Sequence, residues 1–207
     1  MILETVPVGM LGVNCYIVGD KDHLLVIDPG ADANAIFEKI QNIGGVAETI
    51  FLTHCHFDHI LAANALKEFT GAAIIAANAE KENLLDENVN MTGRFHGRKT
   101  EIIPEKLVSE GDVITSGDYQ FNVLETPGHT SGGVCLYEKT ENVLFSGDTL
   151  FFESIGRTDF LTGDFHALKR SVLEKLYVLP GETRVFPGHG EKTTIAHEMK
   201  NNPFISI

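Results

Sequence analysis

The chain has 207 residues, 43% of them apolar, which suits one large domain with a substantial core. Its 16 Lys and Arg against 29 Asp and Glu leave a formal net charge of −13, which argues against nucleic acid and anionic membrane surfaces as partners. Cys15, Cys55 and Cys135 are too few and scattered for a disulfide framework, and MILETVPVGMLG lacks the charged start and long apolar run of a signal peptide, so a cytoplasmic protein is expected.

Taken in order, VNCYIVG (13–19) and HLLVIDPG (23–30) are apolar runs of strand length, the second stopped by Pro29-Gly30. Residues 31–45 carry Ile36, Phe37, Ile40 and Ile43 at helical spacing and end in a glycine pair. ETIFLTH (48–54) predicts a strand, 59–71 a helix, and GAAIIAA (71–77) another strand. Residues 78–100 are polar and mix a short helix with loop. From 107 the β-like rhythm returns in DVITSG, YQFNVLETPG, VCLYE and NVLFSGD. A helix over 171–181, a strand over 184–190 and a closing helix in TTIAHEMKNN complete the chain. Two groups of strands, each with helices, predict a layered α/β/β/α sandwich in a single domain over 1–207.

The chemistry concentrates where strands give out. FLTHCHFDHI (51–60) packs His54, His56, Asp58 and His59 behind an apolar run. Three further strand-like runs end at His129, Asp148 and His189. In an extended segment residues i and i+2 face the same side, so His54 and His56 converge while Cys55 points away. Asp58 and His59 then open the following helix and turn back toward a neighbouring subsite. Imidazole and carboxylate donors without thiolate suit Zn²⁺, and also Mn²⁺ or Fe²⁺. His23, His96, His166 and His197 lie outside this pattern and are read as ordinary surface or core residues.

THCHFDH, followed by TPGHT, SGDTLF and PGHG, resembles the T-H-x-H-x-D-H signature of the metallo-β-lactamase superfamily over nearly the whole chain. GDTLFFESIGRTDF and VFPGHGEKTTIAHEMKNNPFI resemble the short bacterial hydroxyacylglutathione hydrolases, the glyoxalase II-like branch. The resemblance implies an αββα fold of two mixed sheets and two divalent ions, zinc first and iron or manganese as alternatives. His54, His56 and His129 are implied to hold one ion, Asp58, His59 and His189 the second, and Asp148 to bridge them. With 18 residues from His189 to Ile207, the C-terminal helical glutathione-binding domain of full-length glyoxalase II proteins is not expected here. One subclass of β-lactamases uses cysteine where this chain has Asp148, so an antibiotic hydrolase of that kind is not expected.

The expected activity is hydrolysis of an anionic small-molecule thioester, such as S-lactoylglutathione, or a related ester. Two ions about 3.5–4 Å apart lower the pKa of a shared water from 15.7 toward about 7, supplying hydroxide without a serine or cysteine nucleophile. Asp58 is the expected catalytic residue, orienting that water or relaying its proton. Arg157 in GRTDF is a candidate anchor for a substrate carboxylate, with pairing to Asp159 or Asp164 as the alternative. Arg94, His96, Arg98 and Lys99 form a basic cluster, read as a solvated loop or as a lid over substrate. The rival activities are a persulfide dioxygenase using one Fe²⁺ on His54, His129 and Asp148, and a lactonase or other ester hydrolase.

Overall fold

The computed structural model describes residues 1–95, 97 and 99–205. An antiparallel hairpin, β1 (Ile2–Val8) and β2 (Val13–Asp20), leads into β3 (His23–Ile27), which pairs antiparallel with β2. From β3 the sheet continues in parallel through β4 (Ala47–Leu52), β5 (Ala73–Ala77) and β6 (Lys106–Val108). Parallel neighbours require crossovers, and the chain supplies them as helices. They are α1 (Ala33–Ile43) before β4, and α2 (Phe57–Ile60) with α3 (Ala63–Thr70) before β5. The loop over 78–100 holds two short 3₁₀ turns and one helical turn, α4 (Thr92–Phe95).

The second sheet contains β7 (Val113–Ser116), β8 (Tyr119–Glu125), β9 (Val134–Glu138), β10 (Val143–Gly147), β13 (Arg184–Pro187) and β14 (Thr193–Thr194). Its order is β14-β13-β10-β9-β8-β7, with β10 and β13 parallel and the other pairs antiparallel. A small hairpin of β11 (Leu150–Phe151) and β12 (Ser154–Ile155) follows β10, and α5 (Phe165–Ser171) and α6 (Ile195–Asn201) cover this sheet.

Strand alternation builds three apolar layers. Val26, Ile50 and Leu52 face Ile36, Ile40 and Leu66 of the helices. Their neighbours Leu25, Ile27 and Phe51 instead meet Phe121, Val123, Leu136 and Phe145 of the second sheet. On the far side Cys135, Leu144 and Val185 pack on Val172, Leu176 and Ile195. The sandwich of two mixed sheets flanked by helices is therefore the fold, as expected.

Details depart from the sequence reading. The strand Ile2–Val8 was not anticipated; it lies at a sheet edge, half exposed, with Pro7 within it. The predicted helix over 171–181 begins earlier, at Phe165, where Asp164 accepts from the His166 and Ala167 amides at 2.8 and 3.1 Å. It then loosens into a π turn over Val172–Leu176. The helix predicted over 59–71 starts at Phe57 and is broken between Ile60 and Ala63. Among the described residues no helix is long and apolar enough to cross a membrane.

Candidate metal centre

The donors sit just beyond the C-terminal ends of β4, β8, β10 and β13, where loops of both sheets converge at one rim of the sandwich. His54 and His56 follow β4, Asp58 and His59 lie on the first turn of α2, and His129, Asp148 and His189 come from the second sheet. Close backbone approach makes this possible. A Cβ on Gly30 would lie 1.4 Å from the Asp58 carbonyl oxygen, so only glycine lets the loop after β3 pass beneath α2.

All seven predicted residues meet. His54, His56 and His129 present ligand atoms within 4.8 Å of one another, as do Asp58, His59 and His189. Asp148 lies between the groups: one carboxylate oxygen is 3.4 Å from His59 Nε2, and the other is 3.4 Å from His129 Nε2 and 3.7 Å from His189 Nε2. Two buried polar atoms here, His54 Nε2 and Asp148 Oδ1, have no hydrogen-bond partner. Such orphans are costly unless something else occupies the space between them, and imidazole and carboxylate donors fit a divalent cation.

The metallo-β-lactamase superfamily (Lactamase_B) matches residues 8–189, a span that contains all seven side chains. The chain belongs to the metallo-β-lactamase superfamily. The hydroxyacylglutathione hydrolase GloC of Haemophilus influenzae is 34% identical over 210 residues, covering 100% of this chain and 99% of its own. Among solved structures, the BLEG-1 B3 metallo-β-lactamase is 38% identical and superposes with a TM-score of 0.92 over 99% of both chains. TTHA1623 in a di-iron-bound form is 35% identical, with a TM-score of 0.87 over 98% of this chain and 100% of that one. The protein is thus a member of a metallo-hydrolase superfamily with a His/Asp cluster suited to divalent metal.

Around the cluster a second ring of contacts fixes four of the five imidazoles. His59 Nδ1 donates to Asp28 Oδ2 at 2.8 Å, His129 Nδ1 to the Arg157 carbonyl at 2.7 Å, and His189 Nδ1 to the Leu11 carbonyl at 3.3 Å. His54 Nδ1 lies 3.0 Å from Thr53 Oγ1, which in turn donates to Asp28 at 2.6 Å. In each case Nε2 is left facing the cluster, while His56 turns Nδ1 toward His129 Nε2 at 2.8 Å. Asp28 was missed by the sequence reading. The strand HLLVIDPG ends in a carboxylate just as the strands leading to the cluster end in donors, and that was the available signal. Asp28 is buried and already accepts from the Thr53 amide and hydroxyl, which marks it as an orienting group. Asp28→Asn is therefore expected to weaken divalent-metal binding by about 10–100-fold, measured by metal titration; an unchanged affinity would remove the orienting role.

Behind the ligand loops, buried Glu80 accepts from the Thr130 hydroxyl and, at 2.9 Å, from Asn83 Nδ2. Its pKa is raised, chiefly by burial. It braces the loop after His129 from within the core.

Three carboxylates converge here, and among the described residues no Lys or Arg pairs with them. Imidazoles carry the compensating charge in the metal-free protein. Burial alone would lower the pKa of His59, but Asp148, Asp58 and Asp28 push it up to about 10. Burial likewise opposes the rise at His189, which Asp58 and Asp148 bring about. His54 and His56 are held low by burial and by the neighbouring imidazoles, His56 at about 2. Burial opposes ionisation of Asp58, yet His59 and His189 keep its carboxyl below the usual range. The stability that protonated His59 contributes is fully present below its unfolded pKa of about 6.5 and is lost as pH rises toward its folded pKa of about 10. The Tm of chelator-treated protein is expected to fall across that window. A flat profile would contradict the charge balance.

The cluster opens into a cavity of about 340 Å³ walled by Leu11, Phe57, Met91, Phe151, Ile155 and Phe160, with Arg157 at its edge. Arg157 is exposed, pairs bidentately with Asp159 at 2.9 and 2.7 Å, and lies 4.5 Å over the Phe160 ring. In the basic segment, Phe95 of α4 also lines the cavity, stacked on Phe57 at 5.0 Å, and Lys99 pairs with Glu101. His96 and Arg98 lie outside the described residues.

Proposed function

We propose that this protein is a dinuclear metal-dependent hydrolase of small acyl thioesters, of the glyoxalase II type. The observation that carries the reading is the completeness of two donor groups with Asp148 between them. In this reading His54, His56 and His129 hold one ion, Asp58, His59 and His189 the other, and Asp148 contacts both. Zinc is the proposed metal, and iron is kept open by the di-iron form of TTHA1623. When bound, such a pair supplies Lewis acidity and hydroxide at neutral pH.

The chain's own groups do the rest. Asp58 accepts the hydrogen bond of the incoming water and passes its proton toward the leaving sulfur, so that thioester and water give acid and thiol. Phe57, Phe151 and Phe160 wall the cavity and limit water around the carbonyl. Arg157 can receive an anionic group only by leaving Asp159, and exposed pairs of this kind contribute little. Arg157→Ala is accordingly expected to raise KM for an anionic thioester by no more than about fivefold with kcat unchanged. Steady-state kinetics check this, and a large kcat loss would place Arg157 closer to the chemistry.

S-lactoylglutathione hydrolysis, followed beside metal content per chain, tests the reading. Turnover with two ions bound is expected, and no thioester hydrolysis by the fully loaded protein would overturn it. The likeness to BLEG-1 favours one second reading, β-lactam ring opening, which a cephalosporin assay on the same sample examines. Oxygen uptake with glutathione persulfide by a one-iron form would instead favour the dioxygenase.

A further inference from the structure

A second cavity, about 480 Å³, adjoins the metal cluster on the side away from Arg157. It is framed by the tip of the β1–β2 hairpin, the loop entering α1, and the faces of α2 and α3. Leu11, Phe57, Asp58 and Phe95 line both cavities, so the two adjoin at a junction that carries a donor of the cluster. Beyond that junction Val8, Met10, Ala31, Ala33, Leu61 and Ala65 supply apolar wall, interrupted by Asp32.

The two charged groups in these walls are acidic and committed: Asp32 accepts from the Gly9 amide at 2.8 Å, and Asp58 lies 3.3 Å from His189 Nε2. No lysine or arginine lines the space among the described residues. An anionic group such as the glutathionyl moiety meets two carboxylates and no cation here, whereas an unbranched hydrocarbon chain meets matching walls. Met10 is fully exposed and Leu11 and Phe95 more than half exposed, which leaves apolar side chains at the mouth ready to be covered.

We propose that this cavity takes the apolar chain of the acyl group, so that the preferred substrates are thioesters or esters of unbranched medium-chain acids rather than of lactate. This rests on the hydrolase reading above. The carbonyl then lies at the junction beside Asp58, the hydrocarbon chain runs between the hairpin tip and α3, and the leaving thiol faces Arg157 and Phe160.

The test is a series of acetyl, butyryl, hexanoyl, octanoyl and decanoyl thioesters of N-acetylcysteamine, run with the metal-loaded full chain. For each methylene that enters the cavity kcat/KM is expected to rise about fourfold, roughly 250-fold from butyryl to octanoyl. Ala65→Phe and, from the opposite wall, Ala33→Phe fill the space and are expected to flatten that slope within each variant, with folding verified by thermal unfolding. Titration of octanamide into metal-free protein gives a second readout, with binding expected in the parent and lost in Ala65→Phe. Hydrolysis that is flat from acetyl to decanoyl, without octanamide binding, would overturn the cavity's role and leave the hydrolase reading standing. Octanamide binding blocked by Ala65→Phe, without hydrolysis of any member, would keep the apolar site and remove the hydrolase reading. A dimer dissociated by octanamide would make a second copy the occupant and overturn the proposal.

Discussion

Asp148→Ala is expected to abolish both the two-ion stoichiometry and turnover, with kcat falling by on the order of 10³-fold or more. Asp148 is the one carboxylate within 3.7 Å of His59, His129 and His189 among the described residues, and one of its oxygens is buried without a partner. Without it, neither group of donors has a carboxylate facing the other, and His59 loses the largest of the carboxylate charges that raise its proton affinity. The fold has less at stake, because one oxygen of this side chain is buried without any hydrogen-bond partner among the described residues. Metal analysis of dialysed protein, kcat and the Tm of the metal-free form measure the three consequences separately. Two retained ions with full activity would remove Asp148 from the centre of the proposal.

How far the sequence foretold this arrangement depends on which physical rule was at work. His54 and His56 were legible because a strand alternates its side chains, and Asp58 and His59 because the apolar pattern changes period just there. His129, Asp148 and His189 were visible as donors at the ends of apolar runs, although only the fold brings residues so distant in sequence within 3.7 Å. Asp28 was obscured by the Pro29-Gly30 turn that follows it, whose stronger punctuation drew the reading to chain direction rather than to the carboxylate. The first strand was hidden by its half-exposed edge position and Pro7, which blur the alternating pattern. The π turn at Val172–Leu176 has no local sequence mark, since its spacing differs from an α-helix by one residue per turn. The cavity beside the centre could not be read at all. Its walls come from four separated stretches, 8–11, 30–33, 57–65 and Phe95, none of them distinctive alone.

Gly188→Ala is expected to separate the site from the fold. A Cβ at this position would lie 2.3 Å from Asp148 Oδ1 and 2.7 Å from His59 Cε1, far inside any real contact. Both are distal side-chain atoms, so the carboxylate and imidazole can swing aside at modest cost. The nearest backbone atom, the Gly147 carbonyl carbon, is 3.2 Å away and has to give by a few tenths of an ångström. The backbone bonds of Gly188, to the Gly147 carbonyl at 2.8 Å and from the Asn14 amide at 2.8 Å, remain available. Overpacking of this kind costs about 1–3 kcal/mol, less than the whole stability of a domain this size. Donor positions are less forgiving, because a displacement of about 1 Å is enough to cost on the order of 10²-fold in rate. The variant is therefore expected to fold, to lose metal affinity, and to hydrolyse thioester at least 10²-fold more slowly. Gly181→Ala, whose Cβ would meet Ala196 Cβ at 3.2 Å and so also forces a neighbour to give by a few tenths of an ångström, but away from the cluster, is the control for overpacking alone. If Gly188→Ala bound two ions with parental affinity and rate, the carboxylate and imidazole beside it would not be the ligands proposed.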